Sequence, residues 1–410
     1  MPETPPPGAE PLDPVPAPRV LLAGGGTAGH VNPLLATAAA LRDPALGGRE
    51  ETGILVLGTA EGLEAGLVPE AGFDMAVVPR VPMPRRPTGD LFMLPRRLSR
   101  AVGAAGEAIE AVDAQVVVGF GGYVSTPAYL AARRAGVPVV IHEQNARPGL
   151  ANRLGASWAA AVALTFASTP LRSSKGRTEV TGLPLRPAIG ELVARLAEPD
   201  GAAAARRSGA AALGLDPQAP TVLITGGSLG AQRLNEVLAA ALPSLSPDLQ
   251  VLHLTGRDKD GPVRAAVEAA VADGAAADLA ERYHVLDYLV AMEQAYACAD
   301  GVICRSGAGT VAELTALGLP ALYVPLPIGN GEQRLNAADV VAAGGGRLVA
   351  DARLTAADVV DFTALLTRPA ERGAMATAAA STGVRDGARR LADLIRTVAR
   401  EGCPSPRRKA

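Results

Sequence analysis

Aromatic residues and cysteines are scarce in this chain of 410 residues. Phe, Trp and Tyr make up 3% of it, so Ala, Val, Leu and Gly must fill the core, as in layered α/β proteins. Cys298, Cys304 and Cys403 form no C-x-x-C pair and no cluster with metal spacing, which excludes a cysteine metal site and fits a reducing compartment. The formal net charge of -2 excludes bulk electrostatic attraction to nucleic acid.

Long apolar runs are also lacking. No run of about 18 uninterrupted apolar residues occurs, so no segment is expected to span a bilayer, and any membrane contact is expected to be peripheral. Residues 1–18 are rich in proline and lack the basic region and apolar core of a secretory signal, so they are predicted to be a disordered tail. Residues 401–410 are predicted to be a frayed, basic end.

Short apolar runs do occur, and they alternate with helix-length segments in two series. The runs lie at 20–23, 54–57, 75–78, 116–118, 137–141 and 160–164, and then at 221–225, 250–254, 283–286, 300–303, 320–324 and 347–350. This alternation predicts the α/β class with doubly wound parallel sheets, and the two series predict two domains, at 19–185 and 186–385. The Ala-rich stretch 194–213 is predicted to be a helix or a loose loop and is assigned no function.

Each series begins with a strand, a glycine turn and a helix, which predicts two Rossmann-like halves facing across a ligand cleft. Residues 24–29 have the sequence GGGTAG and residues 226–231 have the sequence GGSLGA. Glycines let a ligand approach the backbone, and the N–H groups of the next helix favour oxyanions. The first turn satisfies G-x-G-x-x-G, but the nearest acid after the second strand, Glu61, lies beyond the strand end that a dinucleotide site requires.

His30 follows the first glycine turn at a predicted helix N-terminus. The helix dipole opposes a positive charge there, so the imidazole is expected to be neutral and able to act as a base. A hydrogen-bonded structural histidine is the alternative interpretation.

Seven short segments, taken in order, resemble one family. They are GGTAGHVNP at 25–33, GFGGYVS at 119–125, HEQN at 142–145, GGS at 226–228, CRSGA at 304–308, TVAE at 310–313 and QRLNA at 333–337. Their order and spacing resemble MurG, a family that transfers N-acetylglucosamine from UDP to lipid I and so makes lipid II of peptidoglycan. The resemblance covers residues 19–400.

The resemblance implies a GT-B fold, with the nucleotide sugar bound mainly by the second domain. It implies an inverting, metal-independent transfer without a cofactor, and a last helix, at 386–400, that crosses back to the first domain. The implied partners are UDP-N-acetylglucosamine, lipid I and an anionic membrane surface, with other cell-wall synthesis or division proteins as further candidates. The implied location is peripheral, at the cytoplasmic face of the cell membrane.

The resemblance also implies contacts for particular residues. Ser228 and Arg186 meet the charge on the departing diphosphate, Glu313 accepts the ribose hydroxyls, Leu289 presents backbone to the uracil, and Gln333 and Asn336 contact the sugar hydroxyls. The remaining donor-binding positions are Thr27, Ala28, Gly29, Asn145, Ala308, Gly309, Thr310, Val311 and Ala312. On the acceptor side stand Thr27, Tyr123, Asn145 and His30, with His30 as the catalytic base.

Residues 80–100 are predicted to dock the first domain on the membrane, because six arginines surround a short apolar patch. The docking residues are Arg85, Arg86, Leu91, Phe92, Met93, Leu94, Arg96 and Arg97.

The D-x-D sequence at 258–260 is predicted to be a solvated loop and not a metal site. The chain departs from the usual MurG pattern at Ala28, Leu183, Leu229 and Glu332. Because of Leu229, it stays open whether the side chain at this position contacts the phosphate or the acceptor.

Three other functions remain open from the sequence. An NAD-dependent oxidoreductase explains the first glycine turn but neither the second turn nor the segment around Glu313. A UDP-sugar epimerase of GT-B fold is the second alternative. It needs no lipid surface, so the basic apolar segment at 80–100 argues against it. A non-catalytic UDP-sugar-binding protein is distinguished by turnover alone.

Overall fold

A computed structural model describes residues 17–81, 94–227, 230–274 and 278–402. The predicted tails at 1–18 and 401–410 therefore fall mostly outside the described residues. The strands are β1 (Arg19–Ala23), β2 (Gly53–Gly58), β3 (Asp74–Val77), β4 (Val116–Gly119), β5 (Val139–Glu143), β6 (Ala161–Leu164), β7 (Arg177–Val180), β8 (Thr221–Thr225), β9 (Gln250–Leu254), β10 (Tyr283–Leu286), β11 (Gly301–Cys304), β12 (Ala321–Tyr323) and β13 (Gly346–Leu348).

The helices alternate with these strands. They are α1 (Ala28–Arg42), α2 (Glu64–Glu70), α3 (Leu94–Ala111), α4 (Ser125–Ala135), α5 (Leu150–Gly155), α6 (Pro187–Leu196), α7 (Gly201–Leu213), α8 (Gln232–Ala241), α9 (Asp260–Ala272), α10 (Leu279–Arg282), α11 (Met292–Cys298), α12 (Ala308–Leu317), α13 (Glu332–Asn336), α14 (Ala338–Ala342), α15 (Ala356–Leu366), α16 (Pro369–Ser381) and α17 (Gly387–Glu401). The Ala-rich stretch 194–213 forms the end of α6 and all of α7, and α7 packs on α11.

The strands form two parallel sheets, which confirms the predicted fold class. In the part of the chain that the structure describes, the orders are β3-β2-β1-β4-β5-β6-β7 and β10-β9-β8-β11-β12-β13. The inner strands carry continuous apolar side chains because helices cover both faces of each sheet, as in β4, where every residue is buried. Each apolar run predicted from the sequence coincides with a strand to within two residues at either end.

One strand, β7, was not predicted from the sequence. Its residues, Arg177–Val180, are polar or partly exposed, because β7 is the last strand of the first sheet and only one of its edges is paired. An edge strand does not need the apolar run by which inner strands are recognised.

The order of each sheet reverses at its centre, where the first strand of a domain lies beside the fourth. In the first sheet this point lies between β1 and β4, and in the second between β8 and β11. Loops leaving the carboxyl ends of such strand pairs diverge and leave a crevice, which is where open α/β sheets bind ligands. Both glycine turns begin at these strand ends.

The last helix, α17, packs on the first domain although it follows the second in sequence. Leu391, Leu394, Ile395 and Val398 are buried against side chains of β1, β4 and α1. Each buried leucine or isoleucine of this kind contributes about 1.5–3 kcal/mol, so this helix ties the two ends of the described chain together.

Candidate active site

The first glycine turn follows β1 and rests on a buried carboxylate. Glu64, the first residue of α2, is fully buried and accepts hydrogen bonds from Gly26 N–H (2.9 Å), Thr59 N–H (3.0 Å) and Thr59 Oγ1 (2.7 Å). Burial raises the pKa of Glu64, but these donors outweigh it and hold the pKa below its ordinary value. Glu64 is therefore ionised, and the hydrogen-bond donors of Gly26 and Thr59 stabilise its negative charge.

His30 lies in the first turn of α1 and is half-buried. Its Nδ1 is 3.1 Å from the carbonyl oxygen of Gly25 and 3.1 Å from Thr27 Oγ1. A carbonyl oxygen can only accept, so Nδ1 carries the proton and Nε2 has the free lone pair. Burial lowers the pKa of His30, although the Gly25 carbonyl and the charge of Glu64 oppose this, and the imidazole is neutral at neutral pH.

A second loop, between β4 and α4, closes over His30. Gly121 and Gly122 have φ angles of +92° and +82°, a region that side chains other than glycine avoid. A Cβ atom on Gly121 would lie 3.1 Å from His30 Nε2, and one on Gly122 would lie 2.5 Å from the Gly25 carbonyl oxygen. Ser125 Oγ holds the loop by accepting from Gly121 N–H at 2.9 Å and donating to the Gly121 carbonyl at 2.8 Å.

The segment after β5 is held by a second buried carboxylate. Glu143 accepts hydrogen bonds from Asn145 N–H (3.0 Å), Gly149 N–H (3.0 Å) and Asn152 Nδ2 (2.9 Å). Burial raises the pKa of Glu143, and these donors oppose the rise. Tyr129 OH in turn donates to Asn152 Oδ1 at 2.7 Å. Buried side chains therefore hold the loop that carries Asn145 in place.

Asn145 and Asn336 join the two domains directly. Asn336, 1% exposed, donates from Nδ2 to Asn145 Oδ1 at 3.2 Å and to the Ser306 carbonyl at 3.3 Å, and its Oδ1 accepts from Ala146 N–H at 2.8 Å. Arg147 also crosses the cleft, to the carbonyl of Asn330. Both N–H donors of Asn336 are thus engaged, whereas Oδ1 keeps one acceptor position with which it can accept a sugar hydroxyl.

In the second domain, Glu313 lies on α12 and is 7% exposed. Arg186 donates to it twice, from Nε to Oε1 at 2.8 Å and from Nη2 to Oε2 at 3.1 Å, and Tyr296 OH donates to Oε2 at 3.0 Å. A carboxylate has about four acceptor positions, so one remains on Oε1. For Glu313 to accept both ribose hydroxyls, Arg186 or Tyr296 must give up a bond.

The N-terminus of α12 faces the same region with partly exposed backbone. Gly307 is the N-cap, and among the described residues no side chain caps the first turn, which contains Ala308, Gly309 and Thr310. Unpaired N–H groups at a helix N-terminus favour a phosphate. Val311 and Ala312, the next residues, are buried, so their side chains pack in the core.

The second glycine turn, after β8, is described as far as Gly227 and again from Gly230. Gly227 has a φ of +82°, and its N–H donates to Thr225 Oγ1 at 3.2 Å. Ser228, the predicted phosphate donor, and Leu229 lie outside the described residues, so the role of Ser228 stays a prediction.

The remaining predicted positions are exposed or partly buried. Gln333 accepts from Leu326 N–H at 2.9 Å through Oε1, which fixes its amide on the loop before α13. Leu289 is partly buried, and Arg257 stacks on the neighbouring Tyr288 with 4.0 Å between guanidinium carbon and ring centre. Tyr123 is exposed, and Arg80 stacks on it at 5.2 Å. Thr27, Ala28 and Gly29 are exposed at the start of α1.

The predicted docking segment is described only in part. Arg85, Arg86, Leu91, Phe92 and Met93 lie outside the described residues. Leu94 begins α3, with Arg96 exposed and Arg97 partly exposed in its first turn. Across the described ranges, no helix is both long enough and apolar enough to cross a bilayer.

The D-x-D sequence does not form a cluster of free carboxylates. Asp260 is the first residue of α9 and pairs with Arg264 at 2.8 Å, and Asp258 has a left-handed φ of +60°. Within the described part of the chain, no group of three or more His, Cys, Asp or Glu side chains is arranged to hold a metal ion.

Comparison with known proteins agrees with this geometry. The chain matches the glycosyltransferase family 28 N-terminal domain at residues 20–164 and the C-terminal domain at residues 221–391. It is 51% identical over 346 residues to the UDP-N-acetylglucosamine--N-acetylmuramyl-(pentapeptide) pyrophosphoryl-undecaprenol N-acetylglucosamine transferase of Bifidobacterium longum (strain DJO10A), covering 82% of this chain and 86% of the relative.

Solved structures give the same fold. Acinetobacter baumannii MurG superposes with a TM-score of 0.72 at 27% identity, covering 93% of this chain and 99% of that one. A UDP-GlcNAc 2-epimerase from Neisseria meningitidis superposes with a TM-score of 0.64 at 15% identity, covering 93% and 100%, and at that identity it shows the fold alone. The chain therefore belongs to glycosyltransferase family 28 and, within it, to the MurG family of N-acetylglucosaminyltransferases.

Proposed function

We propose that this chain transfers N-acetylglucosamine from UDP-N-acetylglucosamine to the 4-hydroxyl of N-acetylmuramic acid in lipid I, with inversion, to give lipid II. One arrangement supports the proposal. His30, with its Nδ1 bonded to the Gly25 carbonyl, lies in the first domain, the uncapped N-terminus of α12 lies in the second, and a hydrogen bond from Asn336 to Asn145 joins the two domains.

On the donor side, the chain offers groups for the nucleotide and its departing charge. The N–H groups of Ala308, Gly309 and Thr310 open the first turn of α12 and are suited to the diphosphate. Glu313 accepts from the ribose with the acceptor position that Arg186 and Tyr296 leave. If the ribose takes a second position by displacing Arg186, the guanidinium becomes available to the diphosphate. Gln333 and Leu289 complete the donor side.

On the acceptor side, His30 Nε2 takes the proton of the attacking hydroxyl. Its neutral state follows from burial, and its tautomer follows from the Gly25 carbonyl. The bond from that hydroxyl oxygen to the anomeric carbon forms as the bond to UDP breaks, and the charge leaves with UDP. We propose that preorganised donors meet this charge without a metal or another cofactor.

The lipid-linked acceptor requires the first domain to reach a membrane surface. We propose peripheral docking at the cytoplasmic face of the cell membrane through residues 80–100, of which Leu94, Arg96 and Arg97 at the start of α3 are described. Arginines near anionic headgroups contribute about 1 kcal/mol each, and apolar side chains can enter the headgroup boundary. Cell-wall synthesis or division proteins are further proposed partners.

Calorimetric titration tests the donor half of the proposal. We expect UDP and UDP-N-acetylglucosamine to bind and NAD not to bind. Binding of NAD without binding of UDP would refute the proposal and favour an oxidoreductase.

A further inference from the structure

A buried carboxylate lies next to the candidate base but plays no part in the reaction described above. Glu64 is 0% exposed, and its three hydrogen-bond donors come from the two loops that follow β1 and β2. An ionised carboxylate without solvent contact is costly unless it is hydrogen-bonded, and Glu64 accepts three hydrogen bonds. Its position therefore calls for an explanation beyond packing.

Glu64 and His30 contact opposite edges of one peptide group. The N–H of Gly26 and the carbonyl of Gly25 belong to the same planar unit. Glu64 Oε2 accepts the N–H at 2.9 Å, and His30 Nδ1 lies 3.1 Å from the carbonyl oxygen. A carboxylate on the N–H edge polarises the peptide and strengthens its carbonyl as an acceptor, because linked hydrogen bonds reinforce each other.

We propose that Glu64 is a positioning residue for His30 and acts through this single peptide group. Its carboxylate fixes the Gly25 carbonyl toward Nδ1, holds the proton on Nδ1 and leaves Nε2 free to accept a proton. Its negative charge also stabilises the imidazolium that forms when Nε2 is protonated. The inference rests on the proposed role of His30 as the base, and it adds to that role the group that sets its tautomer.

The shape of the turn supports this coupling. A Cβ atom on Gly25 would lie 2.4 Å from Glu64 Oε1, and one on Gly62 would lie 2.1 Å from Glu64 Oε2. The carboxylate therefore fills the space under the turn, and no side chain fits at either position unless Glu64 moves. The identity of Gly25 in the first motif thus follows from the carboxylate beneath it.

Other groups lie near the glycine turn that precedes His30. Tyr123 lies on the second loop, where a Cβ atom on Gly26 would be 4.0 Å from its ring, and Arg80 stacks on that ring. Thr27 Oγ1 reaches Nδ1 at 3.1 Å, and Gly121, which has no side chain, lies beside Nε2. Of the two charged groups, Arg80 and Glu64, the carboxylate is the one joined to His30 through a shared peptide.

Nitrogen-15 NMR of the histidine side chains tests the proposal without substrate. The chain has four histidines, and single substitutions of His142, His253 and His284 identify the signals of His30 among them. In the unaltered protein we expect neutral His30 with its proton on Nδ1. A proton on Nε2 would overturn the proposal even if no variant folds.

Glu64→Gln removes the charge at nearly constant volume, and Thr59→Val is its matched control. Thr59→Val deletes one hydrogen bond to the carboxylate but keeps its charge and its contact with Gly26. In Glu64→Gln we expect the pKa of His30 to fall, its tautomers to mix, and kcat to fall on the order of ten-fold or more with little change in donor KM. In Thr59→Val we expect the pKa and tautomer of His30 to be kept.

Two results for the variants would contradict the proposal. One is an unchanged pKa and tautomer of His30 in Glu64→Gln. The other is an equal shift in Thr59→Val, which would mean that packing and not charge sets the imidazole. Absence of transfer by the unaltered enzyme would refute the proposed function instead, and the NMR result would remain.

Discussion

Arg186 and Glu313 form a bidentate ion pair between the domain junction and helix α12. Arg186 is the N-cap of α6, the first helix after the first sheet, and its Nε and Nη2 donate to the two oxygens of Glu313 at 2.8 and 3.1 Å. A planar guanidinium fixes a carboxylate in both position and orientation. The residue proposed to accept the ribose is therefore oriented by a residue of the interdomain connection.

Replacing Glu313 with alanine is expected to weaken donor binding. Losing a charged acceptor costs about 1.5–3 kcal/mol, so the KM for UDP-N-acetylglucosamine should rise about 10–100-fold. The substitution also leaves Arg186 and Tyr296 without their shared partner, so the free energy of unfolding should fall. Steady-state kinetics and urea titration measure the two effects. Glu371→Ala, on the exposed face of α16, is the control, and an unchanged donor KM in Glu313→Ala would remove Glu313 from the site.

Replacing His30 with alanine is expected to lower kcat about 10²–10⁴-fold, the usual value of general-base assistance, with little effect on donor binding. In the unaltered enzyme kcat/KM should fall as the pH drops through the pKa of His30, because the protonated imidazole cannot accept a proton. Burial lowers that pKa from 6.5, so the acid limb should lie below pH 6.5. A loss of only a few-fold in His30→Ala would assign the proton to another group or to water.

Removing arginines from the docking segment is expected to weaken membrane binding. Replacing Arg85, Arg86, Arg96 and Arg97 with glutamine should lower co-sedimentation with anionic vesicles by at least about ten-fold, since each arginine contributes about 1 kcal/mol near the surface. Arg368, Arg389, Arg390 and Arg400, on or beside α16 and α17, give a control that removes the same charge elsewhere. Binding that is unchanged, and equally insensitive to salt, would show that the segment does not dock.

Buried His253 is expected to make stability depend on pH. It is 0% exposed, with Nδ1 2.9 Å from Tyr283 OH and Nε2 3.1 Å from Asn235 Oδ1, and burial lowers its pKa to about 3. Between pH 7 and 5 the unfolded chain binds a proton at this histidine and the folded chain does not, so stability falls as the pH falls. The advantage in unfolding free energy of the unaltered protein over His253→Gln should shrink by about 2 kcal/mol over that range. A difference independent of pH would contradict the assignment.

Periodicity and turn residues predicted the two sheets and the two glycine turns, because buried parallel strands require continuous apolar runs and close turns require glycine. The contacts between distant residues were not predictable in the same way. Nothing local in the sequence pairs Arg186 with Glu313, which are 127 positions apart, or places Asn336 against Asn145. The first pair depends on how α6 packs on α12, and the second on how the two domains meet.

Glu64 shows the same limit at short range. The sequence drew attention to Glu61 as the first acid after the second strand, whereas the structure turns Glu64, three residues later, under the first glycine turn. Because α2 begins at Glu64, it is the Glu64 side chain and not that of Glu61 that points under the turn. The exact start of a helix cannot be read reliably from the local residues. The crowding of Gly25, Gly58 and Gly62 around one carboxylate is the signal that was present, but it is visible only in three dimensions.

Transfer to lipid I can be measured with a single product assay. The full chain is incubated with radiolabelled UDP-N-acetylglucosamine and a lipid I analogue in the presence of EDTA, and the products are separated. We expect label in a lipid-linked disaccharide, release of UDP in equal amount, and no loss of rate from the chelator. The proposed transfer would be contradicted if the labelled donor were converted to a sugar epimer, or if the donor bound but no label entered the lipid product. The proposed metal-free chemistry would be contradicted if EDTA abolished activity and magnesium or manganese restored it.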